Sequence, residues 1–465
     1  MQRIVFGTDG FRGLIADNFT FENVRRIARA VAAHVRRQPL AEKRRGVVIG
    51  YDRRFLSREF AAAAAEEIRQ QGIPVLFSDA PVPTPAVSAC IRTRGLPAGL
   101  VITASHNPPA FNGVKIKDRH GASATQELTA EIEALANAAV APTARRARPA
   151  RLTEASLVDS YVEQVRAYID FDTLKRQRFH ILVDPMFGAG SGVLAKALAG
   201  SRCRITEINA EDNPLFGGVN PEPIAVNLRR LSAAVRAAPC DIALAFDGDA
   251  DRIGAMCPDG RFINSHYAIC LILLHLIEHR RWRGRVLKSL NTTSMVDRIA
   301  AHYRLPLVEL PVGFKYIAAE MLKGDVLLGG EESGGIGVKD YMPERDGILA
   351  GLLLLELMAV RRMPISEIIR DMDKRFGRCE YQRNDVHLRA AAGKTVIPRP
   401  PRILNKRVVA VSSYDGTKFV LDDGSWLIIR ASGTEPIVRI YAESSRRRFT
   451  AQLIEFGLTL WKNAA

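Results

Sequence analysis

Gly99-Leu100-Val101-Ile102-Thr103-Ala104-Ser105-His106-Asn107-Pro108 is a short apolar run that opens into a polar loop. The run 98–102 reads as a buried strand. Pro108 and Pro109 keep the residues that follow from continuing as a helix. A hydroxyl at the carboxyl end of a strand is where open α/β sheets place ligand chemistry. Ser, His, Asn and Pro are also ordinary turn residues. Ser105 therefore gains meaning only if other parts of the chain supply it with partners.

Around this stretch the pattern is a strand–helix alternation. Residues 47–52 read as a buried strand, and 57–71 as a helix ended by Gly72 at its C′ position. A strand at 75–77 and a helix over 85–94 then lead to the Ser105 strand. Such βαβ alternation predicts a parallel sheet. The Ala-, Pro- and Arg-rich stretch 134–151 reads as a helix end and an exposed linker.

A second unit follows the same plan. It has a helix over 155–168, a strand at 180–184, a glycine-rich turn at 188–192, a helix over 193–199 and a strand at 242–246. A third has strands at 286–290, 307–309 and 326–328, then a long helix over 346–360. The last stretch differs, with strands at 407–412, 418–421, 426–430 and 437–442 and then a helix. It reads as a smaller α+β domain. The boundaries expected are 1–140, 152–252, 253–372 and 380–465. The first three units repeat an architecture with little residue identity.

Bulk properties narrow the class. At 465 residues the chain calls for roughly three to four cores. Hydrophobic residues make up 47% and charged residues 25%, a globular composition. No apolar h-region follows Met1, and the most apolar window, 348–360, contains Glu356 and is too short to span a bilayer. Six cysteines (Cys90, Cys203, Cys240, Cys257, Cys270, Cys379) form no C-x-x-C pair, which argues against a zinc site and a disulfide framework. A reducing cytoplasm is the expected compartment, with no membrane partner. The net charge of +16 raises the question of nucleic acid. The arginines, however, lie in short clusters along the whole chain, with no basic stripe, so attraction for small anions is the better reading.

The chemistry is carried by loops. Asp247-Gly248-Asp249-Ala250-Asp251-Arg252 follows the strand at 242–246. Three carboxylates at alternate positions need a counter-charge if buried. They suit a hard divalent cation that keeps a position open for a phosphate oxygen. An EF-hand fails, because Arg252 stands where the loop needs glycine and Pro258 where it needs a carboxylate. An acidic surface turn is the plain alternative. Arg430-Ala431-Ser432-Gly433-Thr434-Glu435-Pro436 offers a guanidinium, hydroxyls and open backbone N–H groups, a phosphate cradle to which Arg439 could add a second guanidinium. Glu331-Glu332-Ser333, between glycine pairs, suits the hydroxyls of a sugar. Gly7-Thr8-Asp9-Gly10-Phe11-Arg12-Gly13 is a glycine-spaced loop with a charge pair. Lys115 lies ten residues past Ser105 and could return to its site as a cation or proton-transfer group.

Five motifs in this order resemble the α-D-phosphohexomutase family, which includes phosphoglucomutase, phosphomannomutase and phosphoglucosamine mutase. They are G-T-D-G-F-R-G at 7–13, T-A-S-H-N-P at 103–108, D-G-D-A-D-R at 247–252, G-E-E-S-G-G at 330–335 and R-A-S-G-T-E-P at 430–436. The resemblance covers the whole chain. It implies an α/β protein of three similar α/β domains with mixed sheets plus a smaller α+β C-terminal domain, around a central cleft.

It also implies roles for particular residues. Ser105 matches the phosphoserine, and His106 is its neighbour in the same motif. Asp247, Asp249 and Asp251 match the Mg²⁺ ligands, completed by an oxygen on Ser105. Arg12 and Lys115 match basic residues beside the phosphoserine, Lys115 as a proton-transfer candidate. Arg252 matches a residue near the sugar, and Glu331 and Ser333 the loop that grips sugar hydroxyls. Gly313 and Lys315 belong to a loop expected to line the cleft. Arg430, Ser432, Gly433 and Thr434 match the loop that holds the non-reacting phosphate, with Arg439 beside it. The implied activity interconverts hexose 1-phosphate and hexose 6-phosphate, primed by a hexose 1,6-bisphosphate. The expected partners are small sugar phosphates, with no nucleic acid, acting on a monomer or homodimer.

The chain departs from the family pattern in places. Gly335 stands where some members end the sugar loop with histidine, which shifts proton transfer toward Lys115. Pro311 replaces a frequent threonine, and Arg345 is a further candidate phosphate contact. The double glutamate at 331–332 favours glucose phosphate, with mannose phosphate second. The opening F-G-T-D-G-F-R-G also suits the glucosamine enzymes. Two other classes compete: a serine hydrolase, which lacks a nucleophile-elbow pattern here, and a basic nucleic-acid-binding protein.

Overall fold

The computed structural model describes residues 2–7, 9–138, 148–388, 396–431 and 437–464. The chain divides into two compact units, Met1–Arg283 with Gly313–Ile368, and Gly284–Val312 with Ile369–Ala465. It belongs to the four-domain class expected: three α/β domains with mixed sheets, then a domain built on an antiparallel sheet.

The first unit begins with six strands: β1 (Phe11–Leu14), β2 (Val47–Tyr51), β3 (Val75–Ser78), β4 (Gly99–Ile102), β5 (Phe111–Lys117) and β6 (Leu152–Ala155). Their order is β1-β5-β4-β2-β3-β6. β4, β2, β3 and β6 run parallel, as the βαβ alternation requires. β5 turns back antiparallel to β4 and to β1, so the sheet is mixed. Alternation of polar residues hides β5 from an apolar pattern search. Val114 and Ile116 enter the core on one face, while Lys115 and Lys117 are buried on the other. Helices Phe21–Arg36 and Ser57–Gln70 close the core side. Val24, Ile27, Val31 and Val35 recur at helical spacing on the buried face of the first. Burying a side chain such as Phe60 contributes roughly 1.5–3 kcal/mol. The segment 134–151 ends the helix Gln126–Asn137, and residues 139–147 lie outside the described residues.

The next sheet has β7 (His180–Asp184), β8 (Arg204–Glu207), β9 (Ile242–Phe246), β10 (Ile253–Met256) and β11 (Phe262–Ile263), ordered β11-β10-β9-β7-β8. β9, parallel to β7 and antiparallel to β10, is apolar and buried throughout, as a strand covered on both faces must be. It delivers the chain directly to Asp247.

Farther along come β12 (Arg285–Ser289) and β13 (Leu307–Leu310), a parallel pair in the second unit. β14 (Val326–Gly330) and β15 (Ile336–Val338) form an antiparallel pair in the first. The helix Gly347–Arg361 follows β15. Its N-cap Asp346 accepts from Leu349 N–H at 2.9 Å. This is the most apolar window of the sequence. Its burial explains its composition, and among the described residues no helix is long and apolar enough to cross a membrane.

The second unit also holds β16 (Glu380–His387), β17 (Arg402–Ile403), β18 (Lys406–Ser412), β19 (Thr417–Leu421), β20 (Trp426–Ala431) and β21 (Ile437–Ser444). They form an antiparallel sheet ordered β16-β21-β20-β19-β18-β17. Helix Arg447–Ala464 packs Leu453, Ile454 and Trp461 against it.

Candidate active site

Ser105 leaves β4 with a left-handed backbone, φ 53°, uncommon for a residue with a side chain. The turn is held on all sides. Ser105 N–H donates to Thr103 Oγ1 at 2.9 Å, and Asn107 N–H donates to Ala104 O at 3.0 Å. Arg54, buried in the first unit, braces it from beneath. Its guanidinium donates to the carbonyls of Ser105 and Asn107 at 2.7 Å, Pro108 at 2.9 Å and Phe111 at 3.0 Å. Its Nε lies 3.2 Å from Asp52 Oδ2. Backbone strain of this kind persists where the surroundings over-determine it.

The Ser105 hydroxyl is buried and donates to Asp247 Oδ2 at 2.8 Å. His106 Nδ1 lies 3.4 Å from Ser105 Oγ. Asp247, Asp249 and Asp251 are fully buried, each with a carboxylate oxygen within 4.8 Å of the others'. Gly248 permits this approach, since a Cβ there would sit 2.5 Å from the Ser105 carbonyl oxygen. Thr84 donates to Asp249 Oδ2 at 2.5 Å. Lys115 is brought to the cluster by strand pairing, opposite Val101 in the β4–β5 register. Its Nζ lies 2.7 Å from Asp249, 2.6 Å from Asp251 and 3.1 Å from Asp9.

The electrostatics follow from this crowding. Burial, then Asp251 and Asp249, push the Asp247 carboxyl well above its usual range. Burial also opposes charge on Asp251, but Arg345, Lys115 and Arg252 outweigh it and hold that carboxyl below the usual range. For Lys115, burial favours the neutral amine, yet Asp249, Asp251 and Asp9 prevail and raise it above an ordinary ammonium. Asp249 Oδ1 and Asp251 Oδ1 are buried without a hydrogen bond. Two orphaned carboxylate oxygens in an all-oxygen donor set fit a hard divalent cation such as Mg²⁺.

The loop after β14 is stitched onto this cluster. Arg252 and Gly335 form a β-bridge, and Ile253 N–H donates to Gly334 O at 3.2 Å. Arg252 N–H donates to Asp247 Oδ1 at 3.1 Å. Glu331 is buried, and its Oε1 accepts from Ser333 Oγ at 2.5 Å and from Arg345 Nη1 at 3.0 Å. Arg345 also reaches Asp9 at 2.5 Å and Asp251 at 2.9 Å. Phe314, between Gly313 and Lys315, lies under the Arg345 guanidinium, 5.7 Å from ring centre to carbon. Lys315 is half-buried near the Tyr316 ring. Arg12 donates to Asn107 Oδ1 at 2.6 Å and lies 3.9 Å from Asp9.

The structure thus brings Ser105, His106, Lys115, Asp247, Asp249, Asp251, Arg252, Glu331 and Ser333 together in the first unit. Arg430 and Arg439 are in the second unit, directly opposite each other on β20 and β21. Their charges are balanced by Asp415, 2.7 Å from Arg430 Nε, and Asp385, 3.6 Å from Arg439 Nε. Ser432, Gly433 and Thr434 lie outside the described residues. Several participants carry no signal in an isolated sequence: Thr84, the Asp52–Arg54 pair, and Lys117, buried against Glu344. Asp9 could be seen only as half of a charge pair. Arg345, expected on a phosphate, is engaged by three carboxylates.

Loops at the carboxyl ends of strands, a buried serine on a three-aspartate cluster and an adjoining glutamate–serine loop define a multidomain α/β enzyme centre suited to phosphorylated ligands. Family comparison is specific. The phosphoglucomutase/phosphomannomutase α/β/α domains I, II and III match residues 3–142, 159–260 and 264–376, and the C-terminal domain matches 387–455. The chain is 29% identical to a phosphoglucomutase/phosphomannomutase of Thermococcus kodakarensis over 99% of each chain. It is 30% identical to a phosphoglucosamine mutase of Cereibacter sphaeroides over the whole of both. The crystal structure of a "putative phosphomannomutase" from Thermus thermophilus superposes with a TM-score of 0.87, at 36% identity over 99% of each chain. This chain belongs to the α-D-phosphohexomutase family of isomerases.

Proposed function

We propose that the protein interconverts hexose 1-phosphate and hexose 6-phosphate by storing a phosphoryl group on Ser105. Glucose phosphate is the favoured substrate and mannose phosphate the second. The observation that carries this reading is the Ser105 hydroxyl 2.8 Å from Asp247 within the buried triad. The aspartate it donates to is one of three buried carboxylates, a set suited to sharing a cation.

In the forward step the free hydroxyl of the bound hexose phosphate attacks phosphorus on Ser105. The P–Oγ bond breaks, the new P–O bond forms, and one proton passes in net from the sugar hydroxyl to Ser105 Oγ. The hexose 1,6-bisphosphate turns over and returns its other phosphoryl to Ser105, so the same bisphosphate serves as primer. Asp247, Asp249, Asp251 and an oxygen on Ser105 would hold Mg²⁺, which supplies charge neutralisation to the phosphoryl group when bound. Lys115, held protonated by its carboxylate partners, serves first as acid to the departing Ser105 oxygen. Arg12 and His106 steady the charge beside it. Glu331 and Ser333 accept sugar hydroxyls, with Arg252, Gly313 and Lys315 around them. Arg430 and Arg439, with Ser432, Gly433 and Thr434, hold the phosphate that does not react. The protein works as a monomer or homodimer in the cytoplasm, with no nucleic-acid partner.

A second reading is a phosphoglucosamine mutase. It is favoured by relatives of that name at comparable identity. Assays with glucose, mannose and glucosamine 1-phosphates, each with Mg²⁺ and its matching bisphosphate, rank the substrates by kcat/KM. A glucosamine rate above the other two replaces glucose by glucosamine as the substrate. No turnover of any of the three overturns the mutase reading.

A further inference from the structure

Arg345 and Gly335 occupy one space. A Cβ on Gly335 would sit 2.6 Å from Arg345 Cδ and 3.0 Å from Glu331 Oε1. Gly335 has no positive φ, so a side chain there is barred by this contact rather than by backbone strain. The buried guanidinium that fills the space divides its donors among three loops. Nη1 donates to Glu331 Oε1, Nη2 to Asp9 Oδ2, and Nε lies 2.9 Å from Asp251 Oδ2. Arg345 sits beside Asp346, which caps the helix Gly347–Arg361. The cation is therefore anchored to a rigid, buried element.

The consequence falls on Glu331. Both donors it receives, from Arg345 and from Ser333, go to Oε1. That leaves Oε2 for a ligand hydroxyl or ammonium. A free glutamate has rotamers to lose on binding. One pinned by a planar guanidinium fork has lost them in advance. We propose that Arg345 is a positioning residue for the sugar, fixing Glu331, and that Gly335 lacks a side chain so that Arg345 can do so. This replaces the phosphate contact that sequence alone suggested for Arg345. It rests on the reading of Glu331 as the sugar ligand, which wild-type turnover of a hexose 1-phosphate tests separately.

The charge arrangement separates this role from general structural support. Arg345 is paired with Asp251, so its removal leaves the triad more negative, and attraction for a divalent cation holds or grows. A collapse of the site would weaken it. The test is a double-mutant cycle of Gly335→Ala and Arg345→Ala, read by glucose 1-phosphate KM and by Mg²⁺ calorimetry without substrate. Each single variant is expected to raise KM about tenfold, as misplaced positioning groups do, with a smaller change in kcat. Adding Gly335→Ala to Arg345→Ala is expected to raise KM less than about twofold further, because the 2.6 Å contact with Arg345 Cδ is gone and Glu331, 3.0 Å away and released from Arg345, can yield. The Mg²⁺ affinity of Arg345→Ala is expected to equal or exceed that of wild type. If Arg345→Ala fails to fold, Gly335→Ala in Arg345→Thr carries the same comparison, since threonine also has no Cδ to meet a Cβ on Gly335. Multiplicative KM effects in the double variant, or loss of Mg²⁺ binding in a folded Arg345 variant, overturn the proposal. So does an unchanged KM in either single variant.

Discussion

Arg54 offers the sharpest link between packing and site, because one side chain holds the backbone that presents Ser105. Its guanidinium makes four hydrogen bonds to carbonyls at 2.7–3.0 Å and pairs with Asp52 at 3.2 Å. It also stacks over Phe216 at 4.8 Å. Hydrogen bonds to a charged group contribute about 1.5–3 kcal/mol each, so four bonds give a gross sum of roughly 6–12 kcal/mol. Bonds from one group are not independent, and breaking one side of a buried ion pair costs about 3–5 kcal/mol. Arg54→Met is therefore expected to destabilise the first unit by about 4 kcal/mol. Arg54→Lys should recover only part, since an ammonium has three donors for four carbonyls. Urea titration gives the stability, and hydrogen exchange at the amides of residues 103–113 shows whether loosening starts at the Ser105 turn. A loss below about 1 kcal/mol, with unchanged exchange there and unchanged turnover, would refute the bracing role.

Two further outcomes follow from the electrostatics. Asp249→Asn removes one carboxylate of the triad, so Mg²⁺ affinity should fall at least about tenfold and turnover by on the order of 10²–10³; calorimetry and kinetics with saturating sugar phosphate check both. Asp184 is pushed up to about 6 by burial, despite donors from Asn209 and Met186. A raised carboxyl stabilises the fold below its unfolded value and loses that contribution as pH rises through about 6. Between pH 4.5 and 7.5 wild type should lose about 2 kcal/mol relative to Asp184→Asn. Parallel stability curves for the two proteins would contradict that.

The loops were legible because each packs several chemical signals into a few residues. Three aspartates at alternate positions after an apolar strand, or glutamate and serine between glycine pairs, need no distant partner to be noticed. The residues that went unread are single side chains whose meaning lies far along the chain. Thr84 meets Asp249 across 165 positions, and Arg345 meets Asp9 across 336. Arg54 acts on backbone oxygens, which no side-chain pattern encodes. β5 was obscured for a related reason, since its buried lysines interrupt the continuous apolar run that marks a strand covered on both faces. Its partner carboxylates are supplied by other loops. Gly335 was visible as a departure from the family pattern, but the Arg345 side chain that explains it was not.

The central claim is that Ser105 carries a phosphoryl group lent to each substrate. Enzyme incubated with hexose 1,6-bisphosphate labelled in its phosphates, then freed of sugar and digested, tests it most directly. The label should appear on the peptide containing Ser105, and chasing the intact labelled enzyme with unlabelled hexose 1-phosphate should move it to the sugar within one turnover. Ser105→Ala should take up no label and show no mutase activity. Full activity in Ser105→Ala, or label on another residue that chases at the catalytic rate, would contradict the account.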